Sequence, residues 1–380
     1  MKVLITGGAG FLGQRLAREL LARGALKDAQ GVPQALTELV LLDVARGDDF
    51  GDPRVRTEVG DIAERSVLER AIDEKTTTIF HLAAIVSGQA EADFDLGMRI
   101  NLDAPRLLLE ICRQRGHRPR VVFTSSVAVY GGDLPEVVQN DTALNPQSSY
   151  GAQKAIAELL LNDYSRRGFV DGRVLRLPTI SVRPGKPNAA ASSFASGIIR
   201  EPLNGATAVC PVAGATRLWL LSPRKAIESL IAGLELDAAA LGNQRVLNLP
   251  GISVSVDEMV AALREVAGDA VVQRIVWEPD ARVEKIVGSW PGRWDTSRAE
   301  RLGPERRAQF RRGDPQLHRR RAHRDPLKRA TSLVRAALSP LKRATSLMRA
   351  APKRARRRER INCPILRTTG VARRAFFAAG

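Results

Sequence analysis

Lys2-Val3-Leu4-Ile5-Thr6-Gly7-Gly8-Ala9-Gly10-Phe11-Leu12-Gly13 is the stretch that decides the fold. Residues 3–6 form an apolar run of strand length, of the kind buried on both faces in a parallel sheet. Residues 14–23 follow with Leu16, Ala17, Leu20 and Leu21 on one helical face. A glycine turn between strand and helix meets three physical needs: a tight reversal, close approach of backbone N–H groups to a pyrophosphate, and close helix–strand packing. The positive end of the helix dipole then faces the phosphates. Gly7, Gly10 and Gly13, with Phe11 and Leu12 between them, are the expected cofactor-binding turn.

Further strand-length runs lie at 39–43, 55–59, 79–82, 121–125, 173–177 and 246–249. Helical patterns separate most of them, and Leu107, Leu108, Ile111 and Cys112 share one face. Such alternation predicts an α/β fold, a Rossmann-like doubly wound parallel sheet with a smaller C-terminal substrate lobe. Residues 1–180 are assigned to the sheet domain, 181–303 to the lobe interleaved with the last sheet strand, and 304–380 to a basic tail. Residues 181–216, rich in Pro, Gly, Asn, Ala and Ser, read as a long loop with room for one helix. Asp43 closes the second strand, where a carboxylate accepts hydrogen bonds from adenosine ribose hydroxyls and repels a 2′-phosphate. That favours NAD over NADP. The extra segment 25–37 lengthens the spacing from the glycines to Asp43. Asp61, after the third strand, is placed to reach the adenine amino group.

The net charge of +18 comes from 59 Lys and Arg against 41 Asp and Glu. From Pro304 onward stand 23 Lys and Arg with 4 acids, which leaves 36 basic and 37 acidic side chains in residues 1–303. A near-neutral body lacks the electrostatic footprint of a nucleic-acid binder, so a nucleic-acid reading rests wholly on the tail. No apolar run is long enough to span a bilayer, and no membrane partner is expected. The N-terminus starts on a strand, without the segments of a signal peptide. The three cysteines, Cys112, Cys210 and Cys363, make neither a disulfide framework nor a Cys-x-x-Cys metal site. These features point to the cytoplasm and to no metal, with Cys112 a small core residue.

Tyr150-Gly151-Ala152-Gln153-Lys154 leads into the helical run 155–161. Residues four apart on a helix share a face, so phenol and ammonium point into one site. A free phenol, with a pKa of about 10, is a poor base at neutral pH. A neighbouring ammonium, together with a cationic nicotinamide ring, favours phenolate. Tyr150 can then take a hydroxyl proton while a hydride leaves the carbinol carbon. Residues 121–126, Val-Val-Phe-Thr-Ser-Ser, bring hydroxyls to a strand end, the edge of an open sheet where ligands bind.

Residues 1–303 resemble an extended short-chain dehydrogenase of the NAD-dependent epimerase/dehydratase family. The matching stretches are residues 6–13, Gly60-Asp61-Ile62, His81-Leu82-Ala83-Ala84, Asn101, residues 124–131, and Tyr150 with Lys154. The resemblance implies an NAD-dependent oxidoreductase with Ser126, Tyr150 and Lys154 catalytic. Besides the glycine turn, it implies cofactor contacts from Asp43, Asp61, Ile62, Leu82, Ala83, Ala84, Asn101, Tyr150 and Lys154. It also places Ser125 beside the nicotinamide and makes His81 structural. Members acting on nucleotide sugars carry Leu-Arg-x-x-Asn after the sixth strand and a later His-Val-x-Asp. Here Thr179 stands in place of the Asn, and residues 218–223 lack both the His and the acid. Residues 181–194, Ser-Val-Arg-Pro-Gly-Lys-Pro-Asn-Ala-Ala-Ala-Ser-Ser-Phe, are similar to a subgroup that oxidises D-erythronate, a four-carbon sugar acid, at C2. A small carboxylate needs one cation and a few hydroxyl or amide partners, not a diphosphate groove. Arg183 is the expected cation, with Asn188, Ser192, Ser126 and Tyr150 completing the substrate site. A nucleotide-sugar epimerase or dehydratase is the alternative, and a homodimer the expected assembly.

In the tail, residues 326–338, PLKRATSLVRAAL, recur at 340–352 as PLKRATSLMRAAP. Such a basic segment reads as disordered or RNA-binding. A frameshift is the preferred explanation. Residues 311–322, RRGDPQLHRRRA, can be encoded so that a one-base shift reads Asp-Glu-Val-Ile-Arg-Asn-Tyr-Ile-Asp-Asp-Glu, like the acidic helix that closes this family. The codons that allow this are one choice among several.

Overall fold

Val3 and Ile5 turn to one side of the first strand and Leu4 to the other, and all three are fully buried. A strand apolar on both faces needs cover on both, and the fold is built around that need. The computed structural model describes residues 1–185, 187–303, 331, 332, 334 and 335. Seven parallel strands form the main sheet: β1 (Lys2–Thr6), β2 (Glu38–Asp43), β3 (Val55–Val59), β4 (Thr76–His81), β5 (Arg120–Ser126), β6 (Asp171–Leu177) and β7 (Val246–Asn248). Their order is β3-β2-β1-β4-β5-β6-β7. Strand addition reverses between β1 and β4, so the crevice at their C-terminal ends is where an open sheet of this kind binds ligands.

Helices α1 (Phe11–Arg23) and α6 (Pro223–Leu234) cover the Val3 and Ile5 side through Leu16, Leu20, Ile227 and Leu230. Helices α2 (Arg65–Ala71), α3 (Ala104–Arg115) and α4 (Ser149–Arg166) cover the Leu4 side through Leu68, Leu108, Ile111, Cys112 and Leu161. Burial pushes the Cys112 thiol up to about 12, as suits a core residue. The segment that lengthens the spacing to Asp43 is a small antiparallel hairpin, Ala25–Lys27 against Pro33–Ala35.

The second core belongs to α5 (Phe194–Leu203), α7 (Val256–Ala267), α8 (Ala281–Gly288) and a three-stranded sheet. In that sheet Arg217–Leu221 pairs parallel with Thr179–Ile180 and antiparallel with Ile252–Ser255. Ser255 and Glu258 close a capping box on α7, satisfying N–H groups at its start. Residues 181–216 are more ordered than a long loop: they hold α5 and the strand Ala208–Cys210, which pairs with Ile275–Trp277. Helix α5 is the one helix for which the segment has room. Tertiary packing of Phe194, Ile198 and Ile199 makes the helix.

Four residues of the tail are described. Val334 is fully buried in this second core, Thr331 Oγ1 donates to a Glu265 carboxylate oxygen at 2.8 Å, and Arg335 approaches the same carboxylate at 3.4 Å. The expectation of disorder over the basic tail otherwise falls outside the described residues. The frameshift and nucleic-acid readings concern 304–380, of which the rest lies outside the described residues. Among the described residues no helix is long and apolar enough to cross a membrane.

Candidate active site

Gly7 has φ +72°, the left-handed region, and a Cβ there would come within 2.8 Å of Ala83 N. A Cβ on Gly13 would run into Gly7 O. Gly13 excludes a side chain because α1 packs onto the turn itself, and Gly7 because the turn folds onto the end of β4. There Leu82 N–H donates to Thr6 O (3.1 Å) and Ala83 N–H to Thr6 Oγ1 (3.3 Å). Gly10 N–H donates to Gly7 O, and Gly10 opens α1 with no side-chain cap and no acid in the first turn. The free N–H groups of that turn are left for a phosphate. Phe11 and Leu12 stand half-buried there, Phe11 with the Arg15 guanidinium 4.9 Å from its ring centroid.

Asp43, at the end of β2, accepts from Ala9 N–H at 3.0 Å, so its carboxylate borders the same turn. A side-chain-free cradle, an uncapped helix start and a carboxylate at the second strand end fit a dinucleotide's pyrophosphate and ribose. We expect strong preference for NAD over NADP in kcat/KM, and Asp43→Ala should narrow it. Equal turnover with NADP in the unmutated chain would contradict the assignment. Asp61 accepts from Ala63 N–H at 2.8 Å and pairs with Arg99. Burial favours its neutral form, but those two partners outweigh burial and hold the carboxyl below its usual range. A ligand at Asp61 must share it with Arg99. Ile62 is a core side chain, and Ala84 is half-buried just past Ala83.

Asn101 has a different use from the one expected. Its Oδ1 accepts from Ile85 N–H (2.9 Å), and its Nδ2 donates to Ile85 O (3.0 Å) and Gln153 Oε1 (2.8 Å). Both amide protons are spent, so Asn101 clamps the loop after β4 to α4 and offers no donor to a cofactor.

Helix α4, which carries Tyr150 and Lys154, starts earlier than its apolar run suggests. Ser148 caps it by accepting from Gly151 N–H (3.2 Å), and Glu91 accepts from Ser149 N–H (2.9 Å). Tyr150 and Lys154 therefore both lie on its opening turns. Lys154 Nζ donates to Thr124 O (3.0 Å) and lies 5.8 Å from the Tyr150 ring centroid and 4.6 Å from that of Phe123. The Tyr150 hydroxyl lies near that of Ser126, whose Oγ accepts from Ala128 N–H (3.1 Å). Phenol, ammonium and hydroxyl thus meet at the end of β5.

The electrostatics differ from the simple expectation. Burial pushes the Tyr150 phenol up to about 12, against the nearby Ser126 hydroxyl, which favours phenolate. Burial also brings Lys154 down to about 7, against the nearby Glu158 carboxylate. Near neutrality the lysine is only partly charged, so the Tyr–Lys pair alone does not yield phenolate. His81 is brought down to about 3 by burial and by Lys154. It is neutral, with Nδ1 2.7 Å from Thr6 Oγ1, which is a structural role.

Ser125 departs from the expected place beside the nicotinamide. It is buried, and its hydroxyl donates to buried Glu158 on α4. Glu158 in turn pairs with Arg176 at 2.6 Å. Sequence reading missed this pair, although Glu158 one turn past Lys154 and an arginine inside the apolar run of β6 are visible signals.

Arg183, half-buried, donates from Nη2 to Asn188 Oδ1 (3.1 Å) and from its backbone N–H to Ser196 Oγ (3.0 Å). Burial and the neighbouring Arg200 cation both disfavour its charge. Arg200 is paired with Glu201, whereas Arg183 has no carboxylate partner among the described residues. Asn188 is exposed and Ser192 half-buried. Their loop is fixed to the strand-end side by Ala191 N–H, which donates to Ser87 Oγ at 3.1 Å.

Comparison with known proteins agrees with this geometry. Residues 3–220 match the model of the NAD dependent epimerase/dehydratase family. A D-erythronate dehydrogenase of Cupriavidus necator is 67% identical over 310 residues, covering 82% of this chain and 95% of that protein. One from Haemophilus influenzae is 50% identical, covering 80% of this chain and 94% of that protein. A crystal structure described as a nucleoside-diphosphate-sugar epimerase from Agrobacterium tumefaciens superposes with a TM-score of 0.73 at 44% identity, covering 80% of this chain and 89% of that one. With its glycine turn, its Tyr150–Lys154–Ser126 cluster and this match over more than half its length, the chain belongs to the NAD-dependent epimerase/dehydratase family.

Proposed function

We infer that the chain is an NAD-dependent dehydrogenase that oxidises D-erythronate at C2 to the 2-oxo acid. The observation that carries the substrate class is Arg183, a half-buried cation with no carboxylate partner among the described residues, set beside Asn188. A cation in that setting is stabilised by an anionic ligand, and a guanidinium suits a carboxylate. The two D-erythronate dehydrogenases similar to this chain favour the same substrate. The structural neighbour described as a sugar epimerase favours the other branch, at lower identity. Thr179 in place of the expected Asn weighs against that branch.

The bound cofactor supplies a hydride acceptor. The chain's residues do the rest. Ser126 holds the substrate hydroxyl next to Tyr150, and Tyr150 takes its proton. Lys154 stabilises the resulting phenolate and is also placed to hold the nicotinamide ribose. Arg183, Asn188 and Ser192 hold the carboxylate end. Arg183→Met should raise KM for D-erythronate roughly 10- to 100-fold and leave KM for NAD nearly unchanged. Unchanged KM for the acid would remove Arg183 from the site.

The C. necator and H. influenzae relatives are matched almost in full by about four fifths of this chain, which favours an enzyme that does not need the basic tail. We hold the tail to be a frameshift product. Sequencing the gene around codons 303–311 tests it, and a stop codon in the shifted frame there would end the idea. Buried, unbridged Cys112 and Cys210 suit a reducing cytoplasm. Ile156 and Leu159, exposed on α4, suit a homodimer contact.

A further inference from the structure

Glu158 is a third polar residue on α4, one turn beyond Lys154, and only 2% exposed. Its Oε1 accepts from Ser125 Oγ and from Arg176 Nε (2.9 Å), and its Oε2 accepts from Arg176 Nη2 (2.6 Å). Arg176 Nη1 donates to the Tyr130 hydroxyl (2.5 Å), which donates to Asn248 Oδ1 (3.1 Å). Ser125, Arg176, Tyr130 and Asn248 are all buried. The network joins α4 to the ends of β5, β6 and β7.

Consecutive residues of β5 engage α4. Thr124 O receives Lys154 and Ser125 binds Glu158, while Ser126 lies near Tyr150. A buried ion pair is a weak source of stability, since apolar side chains of the same volume serve as well, but it fixes geometry wherever every partner is satisfied. We propose that Glu158 and Arg176 are positioning residues: their ion pair, acting through Ser125, locks α4 against the end of β5 and so sets Tyr150 and Lys154 against Ser126. The proposal rests on the Tyr150–Lys154 chemistry given above, not on the identity of the acid oxidised.

A second effect follows from charge. Lys154 is faced by Tyr150 and Glu158 on its own helix, by His81 on β4 and by the Thr124 carbonyl on β5. His81 and Tyr150 are neutral at pH 7, so Glu158 is the anion that favours the ammonium. Without it Lys154 loses its proton at lower pH.

The test uses the full chain with two variants, Ser125→Ala, which keeps the ion pair, and Glu158→Gln/Arg176→Met, which removes both charges together. Steady-state kinetics, NAD affinity, unfolding midpoint and NMR titration of the Lys154 ammonium are compared, with Lys154→Met as the assignment blank. We expect kcat to fall roughly 10- to 100-fold in both variants, as a misplaced catalytic group does, with NAD affinity little changed. Lys154 should titrate at lower pH in the double variant and not in Ser125→Ala. Parental kcat in Ser125→Ala overturns the proposal, whether or not the double variant folds. A parental Lys154 titration in a folded double variant overturns the charge effect. The titration needs no substrate, so a shifted Lys154 in a chain that oxidises no sugar acid supports this proposal while the functional reading fails.

Discussion

Tyr150→Phe lowers kcat for oxidation by roughly 100- to 10,000-fold while NAD binding stays near that of the parent. The substitution keeps the ring that packs near Lys154 and deletes only the hydroxyl near Ser126. What is lost is the proton acceptor, so the effect falls on kcat and not on cofactor affinity. The parent's oxidation rate should also rise with pH, because burial holds the phenol up at about 12 in the chain alone. Rapid-mixing kinetics under saturating NAD, with NAD affinity measured by protein fluorescence, checks both points. Near-normal turnover in Tyr150→Phe would remove Tyr150 from the chemistry.

Lys154→Met has the next largest effect, because it removes both the cation beside the phenol and the group placed to hold the nicotinamide ribose. Turnover and NAD affinity should fall together, unlike in Tyr150→Phe. Stability moves the other way. Burial lowers Lys154 from 10.5 to about 7, so the unfolded chain binds the extra proton between those values. The buried lysine therefore weakens the fold most below about pH 7, and the penalty is relieved as pH rises toward 10.5. Lys154→Met should be more stable than the parent at pH 7, with the gap closing in alkaline buffer. Denaturant midpoints at several pH values measure this, and a gap that widens with pH would contradict the burial argument.

The frame of the fold is legible in the sequence because it follows local patterns. The seven strand runs and the glycine turn need only apolar periodicity and residue type. Tyr150 and Lys154 are legible for a similar reason, since four residues on a helix is one face. What was not legible depends on partners far away in the chain. The Ser125 hydroxyl faces Glu158, 33 positions on, and Arg176 meets Asn248, 72 positions on. Periodicity reports that such residues are buried but not what satisfies them. Asn101 matches a cofactor-site motif, yet Gln153 and Ile85 take its amide protons. The strand Ala208–Cys210 and the buried Val334 depend on tertiary packing that no local window contains.

The most direct test mixes the purified chain with NAD and D-erythronate and follows NADH by absorbance, with nucleotide sugars as parallel substrates. NADH should form in step with the 2-oxo acid from D-erythronate, and the nucleotide sugars should be left unchanged. Epimerisation of a nucleotide sugar, with no NADH formed from D-erythronate or related acids, would contradict the assignment.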